Sequence, residues 1–90
     1  MYKIQFTKTA RQELSQFEKS EPNVFQKIEK LLLELAEHPY TGTGKPKLLS
    51  GDRSGQWSRR ITDKHRLVYM IEDDRVIVIV LSVYGHYDDK

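Results

Sequence analysis

The hydrophobic pattern of the chain changes period along its length. Lys3-Ile4-Gln5-Phe6 alternates polar and apolar residues with a period of two, the mark of a half-buried strand. Thr7 follows with a hydroxyl of the kind that caps a helix start. From Lys8 to about Lys19, Ala10, Leu14 and Phe17 then recur at i, i+4 and i+7, with Glu13, Gln16 and Glu18 between them, which predicts an amphipathic helix. Ser20-Glu21-Pro22 offers a cap candidate and a proline suited to a first helical turn, where its missing N–H would be unpaired anyway. Val24, Ile28, Leu31, Leu32 and Leu35 form the apolar stripe of a second helix, with Lys27, Lys30 and Glu34 on the other side. It should stop near His38, because Pro39 disfavours helical geometry in the residue before it. A strand and a helical hairpin therefore open the chain.

Beyond Pro39 the period returns to two. Residues 40–46, with two glycines and a proline, read as loop, 47–49 as a short strand, and 50–55 as turn. Trp57, Arg59 and Ile61 alternate with Ser58, Arg60 and Thr62, predicting a strand over 56–62. Turns at 63–65 and 72–75 then separate two more strands, 66–71 and 76–81. This order predicts an α+β fold: an N-terminal strand, a two-helix hairpin, then a mainly antiparallel meander sheet with both helices on one face. The last strand is apolar on both faces, Val76, Val78 and Val80 on one and Ile77, Ile79 and Leu81 on the other. Either it is a central strand, or a partner protein or second copy of the chain covers its far side.

Ninety residues with 38% apolar composition cannot divide between two cores, so a single domain over 1–90 is expected. The chain has no cysteine, which excludes disulfides and thiolate chemistry and fits a reducing, cytoplasmic compartment. Its longest apolar run, Val76 to Leu81, is far short of the ~20 residues that span a bilayer, and the alternating N-terminus is unlike a signal peptide, so a soluble protein without a membrane partner is expected. The net charge of +2 is an average over two unlike parts. Between Lys45 and Arg66 lie seven cations and two anions, a net of +5, while the remainder carries −3. Such a basic segment suggests phosphate as a partner.

Candidate chemistry narrows by elimination. His38, His65 and His86 have no helical i, i+4 companions, no serine sits in a G-x-S-x-G turn, and Gly42-x-Gly44-Lys45 lacks the strand and helix that flank a phosphate loop. What remains is Arg59, Arg60, His65, Arg66, His86 and Tyr87, which the meander can bring to one part of the sheet. Alternation separates the arginines: Arg60 belongs to the solvated face, and Arg59 to the helix-covered side, with its stem packed and its head reaching water. Cleavage of RNA by a 2′-hydroxyl needs a base, cations for the charge on the transition state, and an acid for the leaving 5′-oxygen; His, Arg and Tyr supply these without metal. The alternative is a solvated basic surface with a frayed His-Tyr end.

Gly42-x-Gly44-Lys45-Pro46, Ser54-Gly55-x-Trp57-Ser58-Arg59-Arg60-Ile61-Thr62, His65-Arg66-Leu67-Val68-Tyr69 and His86-Tyr87, in that order, resemble the Txe/YoeB family of bacterial toxins within the RelE/ParE group. The resemblance spans almost the whole chain. It implies the small RelE-like fold and a metal-independent, cofactor-free endoribonuclease that cuts mRNA on the ribosome and arrests translation. Implied partners are a cognate antitoxin, the ribosome with its mRNA, and operator DNA only through the antitoxin complex; a homodimer is a further expectation, motivated by the two-faced last strand. Carried over by residue, the resemblance makes His86 the general acid, Arg66 the transition-state cation, Tyr87 a positioning residue and Arg60 a phosphate-binding residue. Arg59 and Lys45 are further RNA-binding candidates.

The chain departs from the family at one telling place. The family motif reads G-K-P-E, its glutamate the general base, and here that position is Lys47; a second family cation, three residues on, is Ser50. A lysine of ordinary pKa, about 10.4, would need lowering by ~3 units, roughly 4 kcal/mol, to act as a base at neutral pH. The RelE branch does use lysines there, and a phosphate-binding role for Lys47 is the other reading. Two rivals to the nuclease stay open: a ParE-like gyrase-binding toxin that cleaves nothing, and a catalytically impaired toxin acting mainly as antitoxin partner and co-repressor.

Overall fold

The structure, a computed structural model, describes residues 1–83, so Tyr87 and the expected proton carrier His86 lie outside the described residues. Strand β1 (Lys3–Phe6) leads directly into α1 (Lys8–Ser20). Thr7 makes that sharp junction: its Oγ1 accepts the Ala10 N–H at 3.1 Å and donates to the Leu81 carbonyl at 2.9 Å, tying the helix start to the last strand. Helix α2 (Pro22–Glu37) follows after a single residue. Ser20 is not its cap; it is the last residue of α1, where its hydroxyl bonds back to the Gln16 carbonyl, and Glu21 takes the cap position without a side-chain bond. Pro22 begins α2 as expected, and His38 ends it.

Strands β2 (Lys47–Leu48), β3 (Trp57–Arg60), β4 (Arg66–Glu72) and β5 (Ile77–Ser82) complete a five-stranded sheet in the order β1-β5-β4-β3-β2. Three pairs are antiparallel; β1 and β5 are parallel, a pairing that needs a long connection and has one in both helices and the three strands between them. Strand limits shift by one or two residues from the sequence reading, and two of the shifts have a clear local cause. Strand β3 stops at Arg60 because Ile61 and Thr62 both donate to the His65 carbonyl in a tight reversal. Strand β5 begins at Ile77 because Val76 closes the preceding turn in a left-handed conformation, φ 53°.

The main core lies between the helices and one face of the sheet. Ala10 and Phe17 of α1 and Ile28, Leu31 and Leu35 of α2 pack on Leu67, Tyr69, Val78 and Val80. Strand β5 is interior, hydrogen-bonded to β1 and β4, which accounts for its Val78/Val80 face. On its other face Leu81 packs with Leu49 and Val68 in a smaller cluster, so both sides of this strand are in use. Among the described residues no helix is long and apolar enough to cross a membrane.

One exposed polar cluster fastens the end of the sheet remote from Thr7. Tyr2 donates to Asp73 at 2.6 Å and Tyr40 donates to the other carboxylate oxygen, joining the N-terminus, the segment after α2 and the β4–β5 turn. Tyr40 also lies edge-on to Trp57, with ring centroids 5.4 Å apart. The bonds from Tyr2 and Tyr40 hold the Asp73 carboxyl below its usual range, and the same contact pushes the Tyr40 phenol up to about 12. A depressed carboxyl contributes stability that is present above its unfolded pKa and is lost as pH falls through the folded value. Asp73→Asn should therefore lower the urea midpoint at pH 7, and the gap from the parent should narrow as the pH is taken from about 4 downwards. An equal gap at pH 7 and pH 2.5 would contradict this.

Candidate nucleic-acid interface

Residues directly opposite one another in an antiparallel ladder point to the same face. The β3–β4 register sets Arg60 opposite Arg66 and Ser58 opposite Val68, and the β2–β3 register sets Lys47 opposite Ser58. Lys47, Arg60 and Arg66 thus share the face turned away from the helices, the face that also carries the Leu49–Val68–Leu81 cluster. Lys47 and Arg60 are exposed and Arg66 is half-buried. Arg66 is anchored by its Nη1, which donates to the carbonyls of Thr62 at 3.0 Å and His65 at 3.4 Å, whereas the Arg60 guanidinium has no partner among the described residues.

Two arginines directly opposite each other, with Cβ atoms roughly 4.5–5.5 Å apart, repel and lower stability. Among the described residues no carboxylate pairs with either of them or with Lys47, since the two ion pairs involve Arg59 and Arg75. An uncompensated cation group of this kind suits an anionic ligand whose oxygens can take two guanidinium forks at once.

Arg59 does something else. The sequence reading put it among the RNA-binding residues with its head in water, and the structure corrects this: its side chain is 0% exposed and its guanidinium is spent on the protein. Nη1 pairs with Glu34 at 3.2 Å; Nη2 faces the carbonyls of His38 and Thr41 at 3.0 Å, the Pro39 carbonyl at 3.4 Å and the Tyr69 hydroxyl at 3.4 Å. Only its Nε is unpartnered. Tyr69, itself buried, donates to the Pro39 carbonyl at 3.0 Å; burial pushes its phenol pKa up, and the adjacent guanidinium opposes that rise. Glu34 completes the assembly by accepting from the Thr43 N–H at 3.0 Å and the Thr43 hydroxyl at 3.2 Å.

This latch fixes residues 38–44, which deliver Lys45 beside β3. The Gly44 carbonyl accepts the Arg60 N–H at 2.8 Å, and a Cβ on Gly44 would stand 2.6 Å from both the Arg59 Cγ and the Arg60 carbonyl oxygen. Gly44 is required there both by this approach and by its φ of 88°. Exposed Lys45 then sits next to Arg60. The structure thus brings together Lys45, Lys47, Arg60 and Arg66 and separates them from Arg59. His65 belongs to neither group: its ring packs edge-on against Phe17 of α1 at 4.9 Å.

A family model described as the YoeB-like toxin of bacterial type II toxin-antitoxin systems matches residues 6–87. The chain belongs to the YoeB family. Among relatives, it is 40% identical over 77 residues to Toxin YoeB of Streptomyces coelicolor, covering 86% of this chain and 92% of that one. A YoeB/ParE toxin from Agrobacterium tumefaciens superposes with a TM-score of 0.90 at 32% identity, over 94% of this chain and 99% of that one. The YoeB of a heterotetrameric YoeB–YefM toxin-antitoxin complex from Staphylococcus aureus superposes at 0.84 with 31% identity, over 97% and 99% of the two chains; the S. aureus YoeB has also been solved as a dimer. YoeB membership and the RelE-like fold thus agree with the sequence resemblance. Sequence reasoning missed Glu34, Thr43 and Tyr69 as the support of the basic edge. The alternation of Arg59 in phase with Trp57 and Ile61 gave its side of the sheet, but no signal in the sequence pointed to these partners.

Proposed function

We propose that this chain is the toxin of a type II module and a metal-independent endoribonuclease that cuts ribosome-bound mRNA and so arrests translation. The observation that carries the reading is the direct opposition of Arg60 and Arg66 on the sheet face turned away from the helices, with Lys47 beside them and no carboxylate paired to any of the three among the described residues. Attack of a 2′-hydroxyl on phosphorus builds negative charge on the non-bridging oxygens, and preplaced guanidinium groups stabilise that charge. Arg66, held by the carbonyls of the 62–65 turn, is the transition-state cation. Arg60 binds the phosphate, and Lys45 extends the contact along the strand. His86 is the general acid and Tyr87 positions the substrate, roles that rest on the family motif. The partners are an antitoxin, as in the S. aureus complex, ribosome and mRNA in the cytoplasm, and operator DNA through the antitoxin. A homodimer is consistent with the solved YoeB dimer.

Ribosomes programmed with a defined message test this. Purified toxin should cut the message in the decoding site after treatment with a chelator selective for transition metals, with the Mg²⁺ that holds the ribosome together left in place. Arg60→Ala should raise the half-saturating concentration about tenfold, the worth of one charge-assisted contact, with a smaller change in the rate at saturation. Intact message together with gyrase-linked DNA breaks would overturn the proposal in favour of a gyrase-binding toxin.

A further inference from the structure

Around the β3 edge from the proposed catalytic face lies a cleft of ≈ 240 Å³ walled by Lys27, Thr43, Gly44, Lys45, Arg60 and Ile61. Three of its six residues are cations and none is acidic, although they come from three different elements: α2, the 38–46 loop and β3. None of the three side chains has a hydrogen bond or ion pair among the described residues. Like charges gathered at one opening repel unless a ligand compensates them. The backbone adds a second sign. Lys45 is held at φ 52°, an unfavourable conformation for a residue with a side chain, between Gly44, whose carbonyl is fixed by Arg60, and Pro46.

The cleft runs into a groove of ≈ 480 Å³ along α2, with which it shares Lys27 and Thr43. Glu34 is the one acid on that groove, and its charge is already committed: one oxygen takes Arg59 and the Thr43 N–H, the other the Thr43 hydroxyl. The positive potential of the cleft is thus not cancelled from the groove, and an extended polyanion has room to enter by one and leave by the other.

We propose that Lys27 and Lys45 form a subsite for the RNA phosphodiester next to the scissile one, with Arg60 at the boundary between the two, guiding the strand from the sheet face onto α2. This rests on the nuclease reading and names the path of its substrate. Lys27 is the discriminating residue, because it lies on the exposed flank of α2 and belongs to none of the proposed catalytic groups.

The test uses the full chain and ribosomes programmed with a message carrying a 2′-deoxy nucleotide at the cleavage site, which keeps the phosphate and removes the nucleophile. Lys27→Ala should raise Kd roughly threefold to tenfold and flatten the log Kd against log salt plot by about 0.7, one phosphate contact on a single strand. On cleavable message the rate at saturation should be unchanged. Lys19→Ala, which removes the same charge from the end of α1, should alter neither quantity. Single methylphosphonates along the message locate the phosphate: one position that abolishes the difference between parent and Lys27→Ala assigns it to the message, and a difference that persists at every position places the contact on ribosomal RNA and overturns the strand path. A parent that binds while Lys27→Ala binds equally well, or loses no more than Lys19→Ala, overturns the subsite and leaves the nuclease standing. A parent that does not bind programmed ribosomes overturns both.

Discussion

Arg59→Ala is expected to lower the unfolding free energy by about 3–5 kcal/mol, the range for truncating a large, fully buried side chain and leaving buried carbonyls without their donor. The size follows from what the substitution strands. Glu34 loses its charge partner, the carbonyls of His38, Pro39 and Thr41 lose a shared donor, and a cavity opens against Tyr69, whose ring lies 5.8 Å from the guanidinium carbon. In a domain of this size such a loss corresponds to a melting temperature lower by about 15 °C or more. Arg59→Lys should recover little of it, because one ammonium cannot meet a carboxylate on one side and several carbonyls on the other as a planar fork does. Glu34→Gln should cost less, since that carboxylate is 32% exposed and keeps water as a partner. Urea unfolding by tryptophan fluorescence measures all three, with Trp57 on the same strand as the reporter. An Arg59→Ala midpoint matching the parent would mean that the latch contributes nothing net, and that the 38–44 segment is held by Tyr69 and its backbone bonds alone.

That buried arginine also marks how far the sequence could be read. The elements were legible because their apolar periods are clean: α2 ends where Pro39 requires, and Thr7 caps α1 with the bond its position suggests. That Arg60 and Arg66 come to one part of the sheet was legible from a turn between two alternating strands, whereas their direct opposition is fixed by a longer reversal than the sequence suggests. Strand limits were harder, because the 61–65 reversal and the Val76 turn take residues whose side chains suit strands equally well. The parallel contact of β1 with β5 leaves no local trace at all, since the helices return the chain to β2 at the far edge and β5 meets β1 only after the meander has crossed the sheet. The latch was hidden for a related reason. Alternation already places Arg59 on the covered side, but the groups that take its head, Glu34 and the carbonyls of His38 and Thr41, come from elements distant in sequence. Lys27 was hidden in the same way, an ordinary solvated helix lysine that becomes interesting only when the loop brings Lys45 to it.

Arg66→Ala is expected to slow cleavage on programmed ribosomes by roughly 10²–10³ at saturating ribosome, the scale for deleting one preorganised charge donor to a transition state. Its effect on stability should stay near 1 kcal/mol, because the side chain is half-buried and donates to two carbonyls of a turn that other bonds also hold. That separation of rate from stability is what distinguishes a catalytic cation from a structural one, and it is the opposite of the outcome expected for Arg59. The same assay resolves the role of Lys47, which stands where the family motif has its glutamate base. Lys47 shares the sheet face of Arg60 and Arg66 and has no carboxylate partner among the described residues, an arrangement that favours a third cation acting on the phosphate. On that account Lys47→Ala should slow cleavage about tenfold, and Lys47→Glu should slow it further, because a carboxylate repels the developing phosphorane charge that the arginines attract. A Lys47→Glu variant faster than the parent by orders of magnitude would reverse the assignment: proton abstraction, not charge on phosphorus, would then be what position 47 limits.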